Sequence, residues 1–227
     1  MNRGCIVVEG QTEEAFVNQI LAPHLGQYGV FVTACRVETG RKGNYIHRGG
    51  MSSYEKVRRD LQRWLRMPSV SWVSTMFDLY ALPHDFPGYE EAKRRGNPIE
   101  RVQMLEASFA ADIGETHFYP YLQLFEFEAL LFSDVTKILN YYVDEPQSCI
   151  MQLQAMRAAA LSPEHINDGP ETAPSKRIIN FLPSYAKDKA IAGPFIAEAI
   201  GLDKLRCECS HFDKWVTSLE RLGDRII

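Results

Sequence analysis

Short apolar runs alternate with amphipathic stretches through the first half of the chain, and that alternation predicts the fold. Residues 4–9 (Gly-Cys-Ile-Val-Val-Glu) are apolar up to a closing acid, the pattern of a strand buried on both faces of a parallel sheet. Gly10 turns the chain, and Thr12 is placed to cap a helix whose first turn carries Glu13 and Glu14, where the helix dipole favours acids. Phe16, Ile20, Leu21 and Leu25 give that helix its apolar face, and Gly26 and Gly29 end it. Residues 30–37 read as a second strand, followed by a flexible basic loop with Gly40, Gly43, Gly49 and Gly50. Ser52 with Glu55 then forms a capping box for a helix burying Val57, Leu61, Trp64 and Leu65. A third strand at 70–77 ends at Asp78, a helix is predicted over 98–111, and a fourth strand over 118–124 precedes a helix opened by Glu126 and Glu128. From about 134 onward the pattern is helical, broken at Pro163, Pro170, Pro174, Pro183 and Pro194.

The order strand, helix, strand, helix, strand predicts an α/β fold: a mainly parallel sheet of at least four strands with helices on both faces. Right-handed crossovers put the carboxyl ends of the first three strands on one edge, where open α/β sheets bind ligands. At 227 residues the chain can bury one good core. The expected division is an α/β core over 1–133 with a helical extension over 134–227 packed on it.

That edge is where chemistry is expected. Glu9 and Asp78 end strands and Glu126 follows the fourth, so three carboxylates converge on it and repel unless a cation neutralises them. Oxygen ligands without a cluster of histidines favour Mg²⁺ or Mn²⁺. Between Arg36 and Arg66, nine Lys and Arg residues stand against three acids in a chain of net charge −4. A local basic stretch in an acidic chain points to a phosphate-bearing partner. Within it Arg41, Lys42 and Arg48 flank Tyr45, the mixture of cation and aromatic that grips a nucleic-acid backbone, and these cations with the outer face of the 54–66 helix are expected to form one positive surface. Lys176 and Arg177 could hold a phosphate near a helix start. Five cysteines, an odd number, argue against a disulfide framework, and Cys207, Cys209 and His211 fall short of a four-ligand zinc pattern. No signal peptide pattern opens the chain and no apolar run approaches the ~20 residues that span a bilayer, so a cytoplasmic protein without a membrane partner is expected.

Val8-Glu9-Gly10-Gln11-Thr12-Glu13 resembles the first motif of TOPRIM domains, the magnesium-binding modules of topoisomerases, primases and overcoming-lysogenization-defect-type nucleases. Asp78-Leu79-Tyr80 stands where those domains carry an Asp-x-Asp pair. Nearly the whole chain further resembles a bacterial domain-of-unknown-function family of TOPRIM-like proteins, often encoded beside ABC-type ATPases. The matching stretches are 8–13, Phe-Asp-Leu-Tyr-Ala-Leu-Pro at 77–83, Gln-Leu-Phe-Glu-Phe-Glu-Ala-Leu-Leu-Phe-Ser at 123–133, Glu-Thr-Ala-Pro-Ser-Lys-Arg at 171–177 and His-Phe-Asp-Lys-Trp at 211–215.

The resemblance implies a TOPRIM-like fold and Mg²⁺-dependent phosphodiester cleavage of DNA or RNA, as effector partner of an ATPase in bacterial defence or DNA processing. It casts Glu9 as general base or ligand and Asp78 as principal ligand, with Lys176 stabilising the leaving oxygen. Tyr80 replaces the second Asp of the pair, so Glu13, Glu126 or Glu128 must complete the metal site. The alternative is a noncatalytic regulatory subunit that keeps the fold and binds nucleotide or nucleic acid.

Overall fold

A computed structural model describes residues 2–226 apart from 43, 44, 49, 50, 52, 168, 170 and 171; the side chains of 39–42, 45–48, 225 and 226 lie outside the description. Five parallel strands make the central sheet: β1 (Asn2–Val8), β2 (Val30–Arg36), β5 (Trp72–Asp78), β6 (Phe118–Tyr119) and β7 (Leu122–Gln123). Its order is β2-β1-β5-β6, with β7 also pairing β5. β1 is central because it is apolar on both faces: Ile6 and Val8 enter one core, Cys5 and Val7 the other.

Over the Ile6 face lies a continuous helical run, α1 (Gln11–Phe16), a π turn at Val17–Leu21 and α2 (Ala22–Gly26), which buries Phe16, Val17, Leu21 and Leu25. The same core takes in Ile196 from α8 (Tyr185–Ile200) and Phe212, Trp215 and Leu219 from α10 (Ser210–Glu220). The opposite face is covered by α3 (Tyr54–Leu65) through Val57 and Leu61, and by α5 (Pro98–Ile113) through Leu105 and Phe109. The expected helix at 98–111 is α5. Short α4 (Tyr89–Ala92) leads into it, and α6 (Gln147–Ala159), α7 (Pro174–Phe181) and α9 (Leu202–Glu208) complete the carboxyl-terminal half. Among the described residues no helix is long and apolar enough to cross a membrane.

Two local expectations change, and a third falls on a residue outside the description. The fourth strand is split: β6 and β7 pair β5 in one register, but Pro120 has no N–H for the ladder and the pairing lapses at Pro120 and Tyr121. Thr75 fills the gap, its Oγ1 accepting from Tyr121 N and donating to Tyr121 O, both at 3.0 Å. Part of the glycine-rich basic loop forms an antiparallel pair, β3 (Glu38–Lys42) with β4 (Tyr45–Arg48), where Tyr45 and Ile46 favour strands. The amino end of α3 is satisfied by Asp85, whose carboxylate accepts from Tyr54 N at 3.0 Å, while the expected cap at Ser52 lies outside the described residues.

Trp72 lies over β1 so closely that a Cβ on Gly4 would meet its indole at 2.0 Å. Gly4→Ala must displace a buried ring, with an expected cost of about 3 kcal/mol or more by chemical denaturation. A loss under about 0.5 kcal/mol would show that the indole can move aside.

Candidate acidic site at the strand ends

The sheet register brings the acids together. Val8 pairs with Met76, so Glu9, one residue past β1, stands beside the last residues of β5, which ends on Asp78. β7 pairs Gln123 with Asp78 and thus delivers the following chain to the same edge. There Phe125 takes a positive φ of 63°, an uncommon conformation for a bulky residue. Beyond it, Glu126 stands at the N-cap of a 3₁₀ segment, Phe127–Ser133, with Glu128 in its first turn, where the sequence predicts a helix. Glu13, in the first turn of α1, accepts from Gly10 N at 2.9 Å. That bond caps α1, the role the sequence assigns to Thr12, because a glutamate at the third helical position reaches back over the turn.

Helix α8 closes the site from the other side. A Cβ on Gly193 would stand 3.1 Å from the Phe127 ring, 3.2 Å from the Thr12 methyl and 3.2 Å from the Tyr185 hydroxyl, so glycine permits this close approach. Four residues apart on the same helix, Tyr185 and Lys189 then reach Glu128: the hydroxyl donates to Oε1 at 3.3 Å and the ammonium lies 3.9 Å from the same oxygen.

Electrostatics shows how tightly these groups are gathered. Burial, then the charges of Glu13 and Glu126, pushes Glu9 up to about 7, offset in part by the Asp78 backbone and Lys189. Burial likewise raises Glu128 to about 7 against the pull of Lys189. Asp78 is held well above the usual carboxylate range by burial and by Glu13, Glu9, Glu128 and Glu126, so the other four predicted acids all act on it. Glu13, only 6 % exposed, is raised by burial. Lys189 is raised in turn, first by Glu128 and then, against its own burial, by Glu126, Asp78 and Glu13.

Two oxygens in this cluster, Glu9 Oε2 and Asp78 Oδ1, are buried without a hydrogen-bond partner. Such orphans cost free energy unless something satisfies them, and a cation does so for carboxylates. Among the described residues no three acids, imidazoles or thiols are already drawn together as a metal-holding group. The acids are instead tied to protein donors: Glu13 to Gly10 N, Glu128 to Tyr185, and Glu126 to Ser175 N at 3.0 Å.

Lys189 is the side chain at the acidic cluster that sequence reading missed. Its signal is spacing: Tyr185, Lys189 and Gly193 stand four residues apart along one helix and so share a face, which Lys187 does not. Lys189→Met is expected to lower the melting temperature at pH 8 by several degrees and to leave it unchanged at pH 5, where Glu9 and Glu128 are protonated. An equal loss at both pH values would make the side chain a packing element only.

The other predicted residues are placed differently. Lys176 is exposed on α7, whose Ser175 amide donates to Glu126, and Arg177 Nε donates to the Thr172 carbonyl at 2.7 Å. The side chains of Arg41, Lys42 and Arg48 lie outside the described set. Of the four cations expected on the outer face of the 54–66 helix, Lys56, Arg59, Arg63 and Arg66, at least two form ion pairs: Arg63 with Glu38 and Asp60, and Arg59 with Glu55. Cys209 is buried against Ser133, Cys207 is exposed and His211 bonds Glu106, so this trio does not converge.

Fold and site together define an α/β protein with a cluster of buried acids at the carboxyl end of a parallel sheet. The chain belongs to the family described as Domain of unknown function (DUF4276), whose model matches residues 8–220. No curated protein sequence matches it. Two solved structures of the C-terminal region of the Xanthomonas campestris pv. campestris OLD protein, phased with mercury and with iodine, are similar at 14 % identity. Each alignment covers 99 % of this chain and 97 % of that one, with TM-scores of 0.47 and 0.46. A likeness of that strength says nothing about activity.

Proposed function

We propose that the chain is a TOPRIM-like nuclease that cleaves phosphodiesters in DNA or RNA with Mg²⁺ or Mn²⁺, as effector partner of an ATPase in bacterial defence or DNA processing. The observation that carries the proposal is the pair of unpartnered buried oxygens, Glu9 Oε2 and Asp78 Oδ1, inside a cluster of five interacting acids. Asp78 would hold the ion, with Glu9, Glu13, Glu126 and Glu128 as further ligands. When bound, it would supply positive charge to balance the charge developing on phosphorus. Glu9, at the edge of the cluster, is the general base or a ligand. Lys189 keeps a positive charge at the acids and limits their repulsion, and Lys176 on α7 is the candidate to steady a leaving oxygen.

One observation favours a second reading, a noncatalytic nucleotide- or nucleic-acid-binding regulatory subunit. Tyr80 stands where the resemblance calls for a second aspartate, and its ring packs on Phe125 at 5.7 Å. The readings separate in a cleavage assay on plasmid, single-stranded DNA and RNA with Mg²⁺ or Mn²⁺, run with the protein alone and with an ABC-type ATPase encoded beside it. Divalent-dependent nicking or degradation supports the nuclease. Binding without cleavage in every arm supports the regulatory subunit.

A further inference from the structure

Where the chain leaves β5 it borders a second concave site, a cleft of about 480 Å³. Leu79 and Tyr80, the two residues after Asp78, form part of its wall, so it adjoins the acidic cluster. Its volume is in the range that holds a small organic ligand. Among the described residues no Asp or Glu lines it.

Its lining combines aromatic planes with cations. The Tyr80 ring rests against Phe125, whose positive φ is held in place by its carbonyl accepting from Tyr80 N at 3.1 Å. A bulky residue in that region is strained, and here the strain fixes two rings against each other at the mouth of the site. In the same lining the Lys93 ammonium sits 4.7 Å over the Tyr89 ring and 3.5 Å from Glu90 Oε1, an exposed pair that a bound phosphate would have to displace. Arg101 Nη2 donates to the Arg95 carbonyl at 3.0 Å, which orients the guanidinium, while Nε is buried with no partner among the described residues. A buried guanidinium donor with no acceptor calls for an anion, and phosphate matches its fork of N–H groups. Aromatic faces beside such a donor call for a planar ring, because any base stacks on them.

We infer that this cleft binds one nucleotide unit, its base against Tyr80 and Tyr89 and its phosphate on Arg101 and Lys93. Tyr80, in the place of a second aspartate, thereby becomes a wall of the nucleotide site rather than an absent ligand. The inference rests on the nucleic-acid reading of the acidic site for its biological meaning, but binding itself needs neither metal nor cleavage. The nucleotide could be free or part of a strand whose next phosphate reaches the acids.

The test is calorimetric titration in EDTA with the four nucleoside 5′-monophosphates, the matching nucleosides, inorganic phosphate and a single-stranded trinucleotide. A monophosphate should bind saturably, with nucleoside and inorganic phosphate each roughly tenfold weaker or more, because each keeps only half of the recognition. Tyr80→Ala and Arg101→Gln should each weaken binding by about tenfold or more, and Tyr80→Phe should preserve it. Melting curves establish that each variant is folded, and if Tyr80→Ala is not, Arg101→Gln against Tyr80→Phe carries the comparison. Tighter binding of the trinucleotide assigns the cleft to a strand, and equal binding assigns it to a free nucleotide. No saturable binding of either at millimolar concentration, or binding indifferent to Arg101→Gln, overturns the inference. With no divalent ion present, that failure leaves the cleavage reading untouched, and a failed cleavage assay leaves nucleotide binding standing.

Discussion

Asp78→Asn and Glu9→Gln are each expected to lower divalent-dependent cleavage by roughly a hundredfold or more, the scale of losing a general base or a principal ligand. The same substitutions should leave the melting temperature in EDTA at pH 8 equal to wild type or higher. Both expectations have one electrostatic cause. Asp78 and Glu9 are raised by burial and by neighbouring acids, so the metal-free fold carries repulsion that a neutral isostere relieves. Activity and stability therefore move in opposite directions, a signature that a purely structural acid does not give. Should either variant cleave at the wild-type rate, or melt several degrees lower, that carboxylate is not part of a metal-dependent site.

Stability against pH is expected to show the second large effect. Glu9 and Glu128 have folded values of about 7 against an ordinary 4.5, so between those values the folded state binds more protons than the unfolded chain. Stability from these groups is therefore highest below about pH 4.5, falls as pH rises through the window and is fully lost above about 7. The loss is on the order of 2 kcal/mol for buried Glu128 and less for the more accessible Glu9. His211 adds to the fall: burial works against its protonation, but its bond to Glu106 leaves its value raised, so it too loses stability on deprotonation. Glu208 and Glu220, lowered against their own values by Lys204, Arg157 and Arg206, act in the opposite direction and mainly below pH 4.5. In EDTA the melting temperature should thus drop by several degrees from pH 5 to pH 8, and Glu128→Gln should flatten that slope. Millimolar Mg²⁺ or Mn²⁺ should restore most of the loss at pH 8 and do little at pH 5. A profile that rises steadily to pH 8 in EDTA and ignores divalent ions would contradict the account.

The sheet was legible in the chain because its strands are apolar on both faces: β1, β2 and β5 fall within one or two residues of the predicted segments. The positions of Glu9 and Asp78 were legible for the same reason, since an acid closing an apolar run marks the carboxyl end of a strand. What local pattern could not show was contact between distant segments. Lys189 matters because Gly193 lets α8 approach α1, and that contact spans most of the chain. Glu126 reads as an open ligand in sequence, yet it accepts from Ser175 N because α7 points its amino end at it. Pro120 signalled a break inside the fourth strand, but that Thr75 would fill the gap depends on the neighbouring strand. The pairing of 38–42 with 45–48 reads as a flexible loop in sequence because glycines are dense there and its short strands carry few apolar residues.

The most direct test of the central claim, that Glu9 and Asp78 close a divalent-cation site, is a Mn²⁺ titration of the protein followed by electron paramagnetic resonance, which counts free ion. Wild type is expected to take up about one ion per chain with sub-millimolar affinity, and Asp78→Asn and Glu9→Gln to weaken that uptake by roughly tenfold or more. Wild-type protein that leaves all added Mn²⁺ free at millimolar concentration, or variants that bind it equally well, would contradict the claim.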